Sequence, residues 1–358
     1  MKIFFLFFVL VTSMFAMQIS DTKLKQMIGQ MLIVGFPNTS VNKQSKIIKD
    51  INKYKLGGVI LFDVFYTDRE RNKNISSSTQ LKKLSSDLQR LTQGKIIISV
   101  DQEGGHVARL KPKYGFKAFP SAKKVSSAST IEAKRSYKEM SIMLQENGIN
   151  CNFAPVVDLE INPKNKVIVG LERSFSKSSM QVKNYASILI DEQEKVGIIS
   201  VLKHFPGHGS SLGDSHLGFV DITDTWSEKE LEPYQYLIDS GKIKMIMTAH
   251  VFNKHLDDTY PATLSYNVNT KLLRQKMDYK GVVVSDDLQM RAISKHYSLQ
   301  ETVTLAINAG VDILLFGNQL AAQGTDEIVQ SIFTQVKNGK IPLQRIIQSN
   351  KRIKKLHE

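Results

Sequence analysis

The sequence predicts a single (β/α)8 barrel, and three observations lead to this fold class. Eight apolar runs of strand length recur along the 358 residues, and most are continuous rather than alternating, as in parallel strands buried on both faces. Stretches of helical period lie between these runs. No linker or low-complexity segment divides the chain, so we expect one domain. An open, doubly wound sheet is the alternative architecture.

The eight predicted strands are spaced regularly along the chain. In order they are MLIVGF (31–36), GGVILF (57–62), KIIISVD (95–101), CNFAPVVDL (151–159), IISVLKH (198–204), IKMIMTAH (243–250), GVVVSDD (281–287) and VDILLFG (311–317). Helical period is clearest at 78–91, 180–197 and 298–310. Glycines favour left-handed helix C-caps at Gly148, Gly197, Gly241 and Gly310. We interpret the residues after Gly317 as two helices that close the barrel.

The composition is that of a globular protein with a basic surface. Hydrophobic residues make up 42% of the chain and charged residues 23%, which argues against disorder. The net charge is +14, but the lysines are scattered, so we interpret them as a solvated surface that is compatible with anionic cell-wall material. The sequence contains no motif of a nucleic-acid-binding module, and we expect no nucleic-acid partner.

The first 16 residues, MKIFFLFFVLVTSMFA, have the pattern of a secretory signal peptide. Lys2 precedes an apolar run over residues 3–11 that is too short to cross a bilayer of about 30 Å as a helix. We therefore expect a signal peptide at 1–16, the barrel at 17–358, export to the periplasm and no stable membrane insertion after processing. An uncleaved anchor and a fortuitously apolar N-terminus are the alternatives, because Met14 is unusual at a cleavage site.

Polar residues follow five of the predicted strands where each strand ends. They are Asp101, Asp158, Lys203 with His204, His250, and Asp286 with Asp287. Burying so much polarity without partners is costly. Active sites of barrels lie at the carboxyl ends of the strands, so one shared polar site is the prediction.

The segment after the fifth strand, KHFPGHGSSLGDSH (203–216), holds three of the eight histidines of the chain. His204 and His208 are four residues apart, a spacing that joins two metal ligands only on a helix. Pro206 and Gly207 argue against a helix there, so we expect no metal, and a zinc site is the alternative.

Within this loop, Asp214 and His216 form a candidate proton-transfer pair. A neutral imidazole titrates at about pH 6.5 and exchanges protons at working pH. A carboxylate two residues away can fix its tautomer and stabilise the imidazolium. An aspartate turn beside an exposed histidine is the alternative.

The stretch VVVSDDLQM (282–290) places Asp286 at the end of the seventh strand. A carboxylate at the mouth of a barrel can act as a nucleophile towards an anomeric carbon. Alternatively, these residues cap the next helix, a role that suits Asp287. A nucleophilic Ser285 is not favoured, because no G-x-S-x-G motif surrounds it.

Five motifs in the right order resemble glycoside hydrolase family 3, especially its single-domain β-N-acetylglucosaminidases. They are VDQEGGHVARL (100–110), NFAPVVDLEIN (152–162), GLERSF (170–175), KHFPGHG…DSH (203–216) and SDDLQM (285–290). The resemblance spans roughly residues 24 to 320 and implies a barrel that hydrolyses terminal β-linked N-acetylglucosamine with retention. It implies Asp286 as the nucleophile, His216 as the acid/base and Asp214 as the partner of His216. It implies neither cofactor nor metal, and sugar contacts at Asp101, Arg109, Arg173, Lys203 and His204.

The D-S-H loop is what favours the hexosaminidase branch, because the larger β-glucosidases of this family take a glutamate acid/base from a further domain. Together with the export pattern, it suggests peptidoglycan-derived fragments as the carbohydrate substrate. A family 3 β-glucosidase or xylosidase and a catalytically silent glycan-binding barrel are the alternatives. Two features depart from the family: its usual arginine is replaced by His106, and the N-terminus carries an export pattern.

Overall fold

The computed structural model describes residues 19–92, 96–215 and 217–358. The predicted signal peptide and His216 lie outside the described residues. Eight parallel strands form a closed barrel in chain order, and β1 pairs with β8 through Leu32 opposite Leu314. The predicted (β/α)8 barrel is therefore confirmed.

All eight predicted strands are present in the described chain. They are β1 (Leu32–Gly35), β2 (Gly58–Ile60), β3 (Ile97–Val100), β4 (Cys151–Asn152), β5 (Ile199–Phe205), β6 (Met245–Thr248), β7 (Val282–Asp287) and β8 (Ile313–Phe316). The strand residues are buried except for Ile199, Asp286 and Asp287, as expected for a barrel covered by helices outside and packed with side chains inside.

The fourth strand is much shorter than the sequence predicts. Regular pairing stops at Asn152, because the chain soon reaches Pro155, which has no N–H to donate to the ladder. The chain then follows β5 irregularly: Lys203 donates its backbone N–H to the Pro155 carbonyl (3.2 Å), and Val157 donates to the Lys203 carbonyl (2.9 Å). This path brings Asp158 beside β5.

Helices cover the barrel outside its strands. The α-helices of the described chain are α1 (Asp21–Gln30), α2 (Lys46–Tyr54), α3 (Ser78–Thr92), α4 (Ala122–Ser126), α5 (Thr130–Glu146), α6 (Ser179–Glu194), α7 (Glu232–Asp239), α8 (Arg291–Ser294), α9 (Leu299–Ala309), α10 (Thr325–Lys337) and α11 (Leu343–Lys354). A π-type helix, Asn267–Lys276, follows β6. None of the described helices has the length and apolar character needed to cross a bilayer.

Helix ends follow the local sequence signals. Ser298 and Glu301 form a reciprocal capping box at the start of α9, and Gly310 ends that helix with φ of 117°. The other three predicted cap glycines also have positive φ angles. The two helices predicted after Gly317 are α10 and α11.

A buried carboxylate ties α11 to the amino-terminal end of β8. Asp312 accepts hydrogen bonds from Ser349 (2.8 Å), Arg352 (3.1 Å) and Arg274 of the π-type helix (2.5 Å). These ion pairs at the amino-terminal face stabilise the closure of the barrel. Active sites of barrels lie at the opposite, carboxyl-terminal face.

Candidate active site

The predicted strand-end residues do gather at the carboxyl-terminal face. The ammonium group of Lys203, on β5, lies 2.9 Å from Oδ1 of Asp101, which follows β3, and 2.7 Å from Oε1 of Glu103. Arg109 Nη2 lies 3.1 Å from the other oxygen of Asp101. Arg173 binds both oxygens of Glu103, through Nε and Nη2, each at 2.8 Å. Four of the five predicted sugar contacts thus belong to one ion-pair network.

The charges of this network hold its members ionised. Burial opposes the negative charge of Asp101, but Lys203 and Arg109 outweigh it and hold the pKa of Asp101 well below its usual value. Glu103 responds in the same way to Arg173 and Lys203, and its pKa is also lowered. Burial opposes the charge of Lys203 too, yet the two carboxylates raise its pKa. The barrel mouth therefore presents fixed charges.

The fifth predicted sugar contact, His204, is oriented by a buried aspartate. Its Nδ1 lies 2.7 Å from Oδ2 of Asp158, and its Nε2 lies 3.3 Å from Nη2 of Arg173. Because a guanidinium only donates, this geometry fits a neutral ring with its proton on Nδ1 and Nε2 accepting from Arg173. Burial opposes the charge of Asp158, but its contacts with His204 and with the backbone of His208 outweigh it and lower its pKa.

His208 serves the loop rather than the sugar site. Its ring nitrogen Nδ1 lies 2.8 Å from the hydroxyl of Ser211, and its backbone N–H donates to Asp158 (2.8 Å). Burial lowers the pKa of His208 to about 4, so the ring is neutral at pH 7. Within the described ranges, no group of three or more histidine, cysteine, aspartate or glutamate side chains is arranged to hold a metal ion.

Asp286 lies near the end of β7, and its Oδ1 accepts the backbone N–H of Asp287 (2.8 Å). Asp287 does not cap α8 as the sequence suggests, because the N-cap of that helix is Met290. Its carboxylate instead accepts the N–H groups of Gln289 (3.1 Å) and Gly317 (3.2 Å), which joins the end of β7 to β8. The end of β7 is thus held in place on the β8 side.

His250, which follows β6, holds the end of β7 from the other side. Its Nε2 lies 3.0 Å from the Asp287 carbonyl, and its Nδ1 lies 2.8 Å from the Thr263 hydroxyl. A carbonyl only accepts, so the Nε2 proton points at β7. His250 therefore lies at the same barrel face as the other strand-end polar residues.

Lys73, in the loop after β2, supports the same region and was not predicted. Its buried ammonium donates to the carbonyls of Gly317 (3.0 Å) and Asn318 (2.6 Å). Burial lowers the pKa of Lys73 to about 8, although Asp287 acts in the opposite direction. It follows no predicted strand directly, so no sequence signal marked it.

The loop after β5 brings the predicted acid/base segment towards β7. The Asp214 carbonyl accepts the backbone N–H of Leu217 (2.9 Å), which makes a turn. The Ser215 carbonyl accepts the N–H of Ala292 in α8 (3.2 Å). Position 215 is therefore attached to the helix that follows Asp286. His216, the next residue, lies outside the described residues, so its role stays a prediction.

Glu103 was missed as a site residue, although it lies inside the DQEGG motif, and its importance can be tested. Glu103→Gln leaves Arg173 and Lys203 buried with one carboxylate fewer. We expect a loss of about 3–5 kcal/mol in the free energy of unfolding, measured by urea denaturation. Glu139→Gln, which removes the exposed ion pair with Lys117, is the matched control and should leave the midpoint unchanged. A Glu103→Gln protein as stable as the wild type would contradict a stabilising role of Glu103.

A closed barrel whose mouth gathers carboxylates, cations and a fixed imidazole defines an enzyme-like site for a polyhydroxylated ligand. The chain belongs to glycosyl hydrolase family 3: residues 22–356 match the family described as glycosyl hydrolase family 3 N-terminal domain. The prediction of this family from sequence motifs is confirmed.

The chain is similar to proteins named beta-hexosaminidases. It is 30% identical to a beta-hexosaminidase of Haemophilus ducreyi over 334 residues, which cover 90% of each protein. It is 31% identical to beta-hexosaminidase A of Pseudoalteromonas piscicida over 333 residues, which cover 86% of this chain and 54% of that protein. A solved family 3 beta-N-acetylglucosaminidase from Paenibacillus sp. matches with a TM-score of 0.83 and 32% identity, over 93% of this chain and 62% of that one. The chain thus spans about half the length of the Pseudoalteromonas relative and most of the Haemophilus one.

Proposed function

We propose that the chain is a retaining β-N-acetylhexosaminidase that removes terminal β-linked N-acetylglucosamine. Asp286 is the nucleophile, His216 is the acid/base, and Asp214 orients His216. The observation that carries this proposal is the ion-pair network of Asp101 and Lys203 at the same barrel face as Asp286. The names of the relatives support the choice of sugar.

Sugar binding in this proposal uses charges that are already in place. Ionised Asp101 accepts hydrogen bonds from sugar hydroxyl groups, while Lys203 and Arg109 donate to them. Glu103 and Asp158 hold the cations and His204 in position before the ligand arrives. Little reorganisation is then needed when charge develops at the anomeric carbon.

The reaction takes two steps, each with an oxocarbenium-like transition state. In the first, an Asp286 oxygen bonds to the anomeric carbon, the glycosidic C–O bond breaks, and His216 gives its proton to the leaving oxygen. In the second, His216 takes a proton from water, whose oxygen displaces Asp286 and leaves a hemiacetal with the original β configuration. The attachment of Ser215 to α8 supports the delivery of His216 to the β7 side of the mouth.

Comparing two aryl substrates tests the proposal most directly. We expect the purified protein to release nitrophenol from the N-acetyl-β-glucosaminide much faster than from the β-glucoside. A preference for the glucoside or xyloside would favour a family 3 β-glucosidase or xylosidase. Binding without release would favour a silent glycan-binding barrel.

Arg109 allows a test of sugar binding with little damage to the fold, because about a quarter of its side chain (24%) is exposed. Arg109→Ala removes a charged donor, and such hydrogen bonds contribute about 1.5–3 kcal/mol each. We expect kcat/KM to fall about 10- to 150-fold, and the melting temperature to fall less than in Glu103→Gln, because Lys203 still pairs with Asp101. Lys113→Ala, an exposed substitution in the same segment of the chain, is the control. Unchanged kinetics in Arg109→Ala would remove this residue from the sugar site.

Peptidoglycan-derived fragments are the substrate class that we propose, acted on after export to the periplasm. The basic net charge suits anionic wall material, and residues 1–16 have the pattern of an export signal. We expect the mature protein to begin near Met17 and to fractionate with the periplasm. N-terminal sequencing of that fraction checks this, and full-length protein in the cytosol would contradict it.

A further inference from the structure

A buried carboxyl group, that of Glu230, lies against the base of the loop that leads from β5 towards His216. This residue lies in the short helical turn Glu228–Leu231. The backbone N–H of Gly209 donates to its Oε2 (2.8 Å). Gly207, with φ of 122°, approaches so closely that an added Cβ would lie 2.5 Å from the Cβ of Glu230. Glu230 therefore shapes the first residues of the loop.

Other groups hold the same loop base from different sides. Asp158 accepts the backbone N–H of His208 (2.8 Å), and Asn165 donates to the His208 carbonyl (2.8 Å). Trp226 donates its indole N–H to the Pro206 carbonyl (3.1 Å). These contacts fix the base of the loop, whereas Leu212 and Leu217 farther along it are exposed.

The surroundings of Glu230 favour its uncharged form. The side chain is fully buried, and within the part of the chain that the structure describes the buried hydroxyl of Tyr234 has no hydrogen-bond partner. Burial raises the pKa of Glu230 to about 8, and the negative charge of Asp158 adds to this effect, while hydrogen bonds from Gly209 and Ser210 act in the opposite direction. The titratable groups that act on it are Asp158, from the segment after β4, and Tyr234, from α7.

We propose that Glu230 is a positioning residue for the acid/base loop and that it holds the base of this loop in its uncharged form. The inference rests on the proposed function, because it assumes that His216 is the acid/base. An ionised Glu230 would still accept the Gly209 N–H, but it would place a second buried negative charge near Asp158. That cost favours exposure of the side chain, which would remove its packing against Gly207. Because the folded-state pKa of Glu230 lies above the value of an exposed glutamate, this support is complete at low pH and is lost as the pH rises through about 8.

The single tryptophan of the chain, Trp226, reports on the loop base independently of activity. We would record its fluorescence, together with kcat and KM for an aryl and an alkyl N-acetylglucosaminide, from about pH 6 to about pH 10. Glu230→Gln is the main variant, since an amide keeps the acceptor for Gly209 and does not ionise. Glu228→Gln is the matched control, because Glu228 is exposed in the same turn.

We expect the wild type and Glu228→Gln to lose fluorescence signal and kcat with one shared midpoint at about pH 8. Glu230→Gln should lack the fluorescence transition and the kcat step at about pH 8, whereas any loss of kcat that comes from deprotonation of His216 itself is common to all these proteins. Glu230→Ala should show a low kcat at every pH, on the order of 10²-fold lower for the alkyl substrate, which depends most on acid catalysis, with a smaller change in KM. Titration of Lys73, whose pKa is also about 8, would persist in Glu230→Gln and is thereby distinguished.

A Glu230→Gln protein that keeps the wild-type fluorescence midpoint, or that matches Glu230→Ala in kcat, would overturn the proposal. A fluorescence transition that kcat does not follow would also overturn it, because Glu230 would then support the loop without serving catalysis. If the wild type hydrolyses no N-acetylhexosaminide, the proposed function fails, and the fluorescence titration still decides whether Glu230 holds the loop base.

Discussion

Asp286→Asn is expected to lower kcat by about 10⁴- to 10⁶-fold, the scale on which removal of a catalytic nucleophile acts. The amide is a poor nucleophile, so neither an aryl nor an alkyl substrate should give a burst of leaving group. Asparagine keeps an oxygen that can accept the N–H of Asp287, so we expect the melting temperature to change little. Stopped-flow and steady-state release of nitrophenol measure both phases.

The neighbouring carboxylate supplies the matched control. Asp287→Asn changes an acceptor for the N–H groups of Gln289 and Gly317, and an amide oxygen can still accept from both. This variant should keep its burst and lose far less activity. If Asp287→Asn loses the burst and Asp286→Asn retains it, the nucleophile is Asp287, and our assignment of Asp286 is wrong.

A smaller variant, Asp286→Ala, adds a stereochemical test. The space left by the carboxylate allows azide to attack the anomeric carbon from the nucleophile's side. One displacement inverts configuration, whereas two displacements retain it. We expect the α-glycosyl azide from Asp286→Ala, identified by NMR. A β-glycosyl azide would mean that another residue still forms the covalent intermediate.

Sequence patterns predicted the strands because parallel barrel strands are buried on both faces and therefore consist of continuous apolar runs. The same rule predicted a fourth strand that is too long, because β4 ends at Asn152. Residues 153–159 are as apolar as a strand, but Pro155 interrupts the ladder, so burial continues without regular pairing. An apolar run indicates that residues are buried. Where a strand ends depends on whether the backbone has N–H groups for the ladder.

The site was predicted where chemistry follows a strand directly, as for Asp101 and Lys203. It was missed where a residue acts through a partner far away in sequence. Glu103 meets Arg173 across 70 residues, and Glu230 meets Gly209 across 21. A carboxylate just before two glycines or in a polar turn looks like an ordinary surface group until its burial is known. Burial in the folded structure, rather than residue type, distinguishes Glu103 and Glu230 from solvated carboxylates on the surface.

Replacing His216 with alanine should separate the two steps of the reaction, because the acid/base has a different task in each. A nitrophenolate leaves readily without a proton, so Asp286 should still be glycosylated at a useful rate by an aryl substrate. The second step needs a base for water, and such help is worth about 10²–10⁴-fold. We expect a burst of nitrophenol, a slow steady rate, and protein heavier by one N-acetylglucosamine at Asp286 in the mass spectrum.

Asp214→Ala is the graded comparison for this variant. The imidazole remains but loses the carboxylate that is proposed to set its tautomer, so both steps should slow less than in His216→Ala. Asp221→Ala, an aspartate farther along the same loop whose carboxylate accepts from Thr223, should leave the burst and the steady rate unchanged. Equal losses in Asp214→Ala and Asp221→Ala would mean that the effect is one of loop structure.

Azide completes the assignment, because it attacks without giving up a proton. In His216→Ala it should restore the steady rate by consuming the trapped intermediate, and the product should be the β-glycosyl azide, since a second displacement at the same carbon returns the original configuration. The α-azide from Asp286→Ala would show that Asp286 forms the covalent intermediate. The β-azide from His216→Ala would show that His216 is needed to hydrolyse this intermediate. If His216→Ala loses aryl and alkyl substrates equally, with neither a burst nor a response to azide, His216 is not the acid/base, and the loop that carries it acts only in binding.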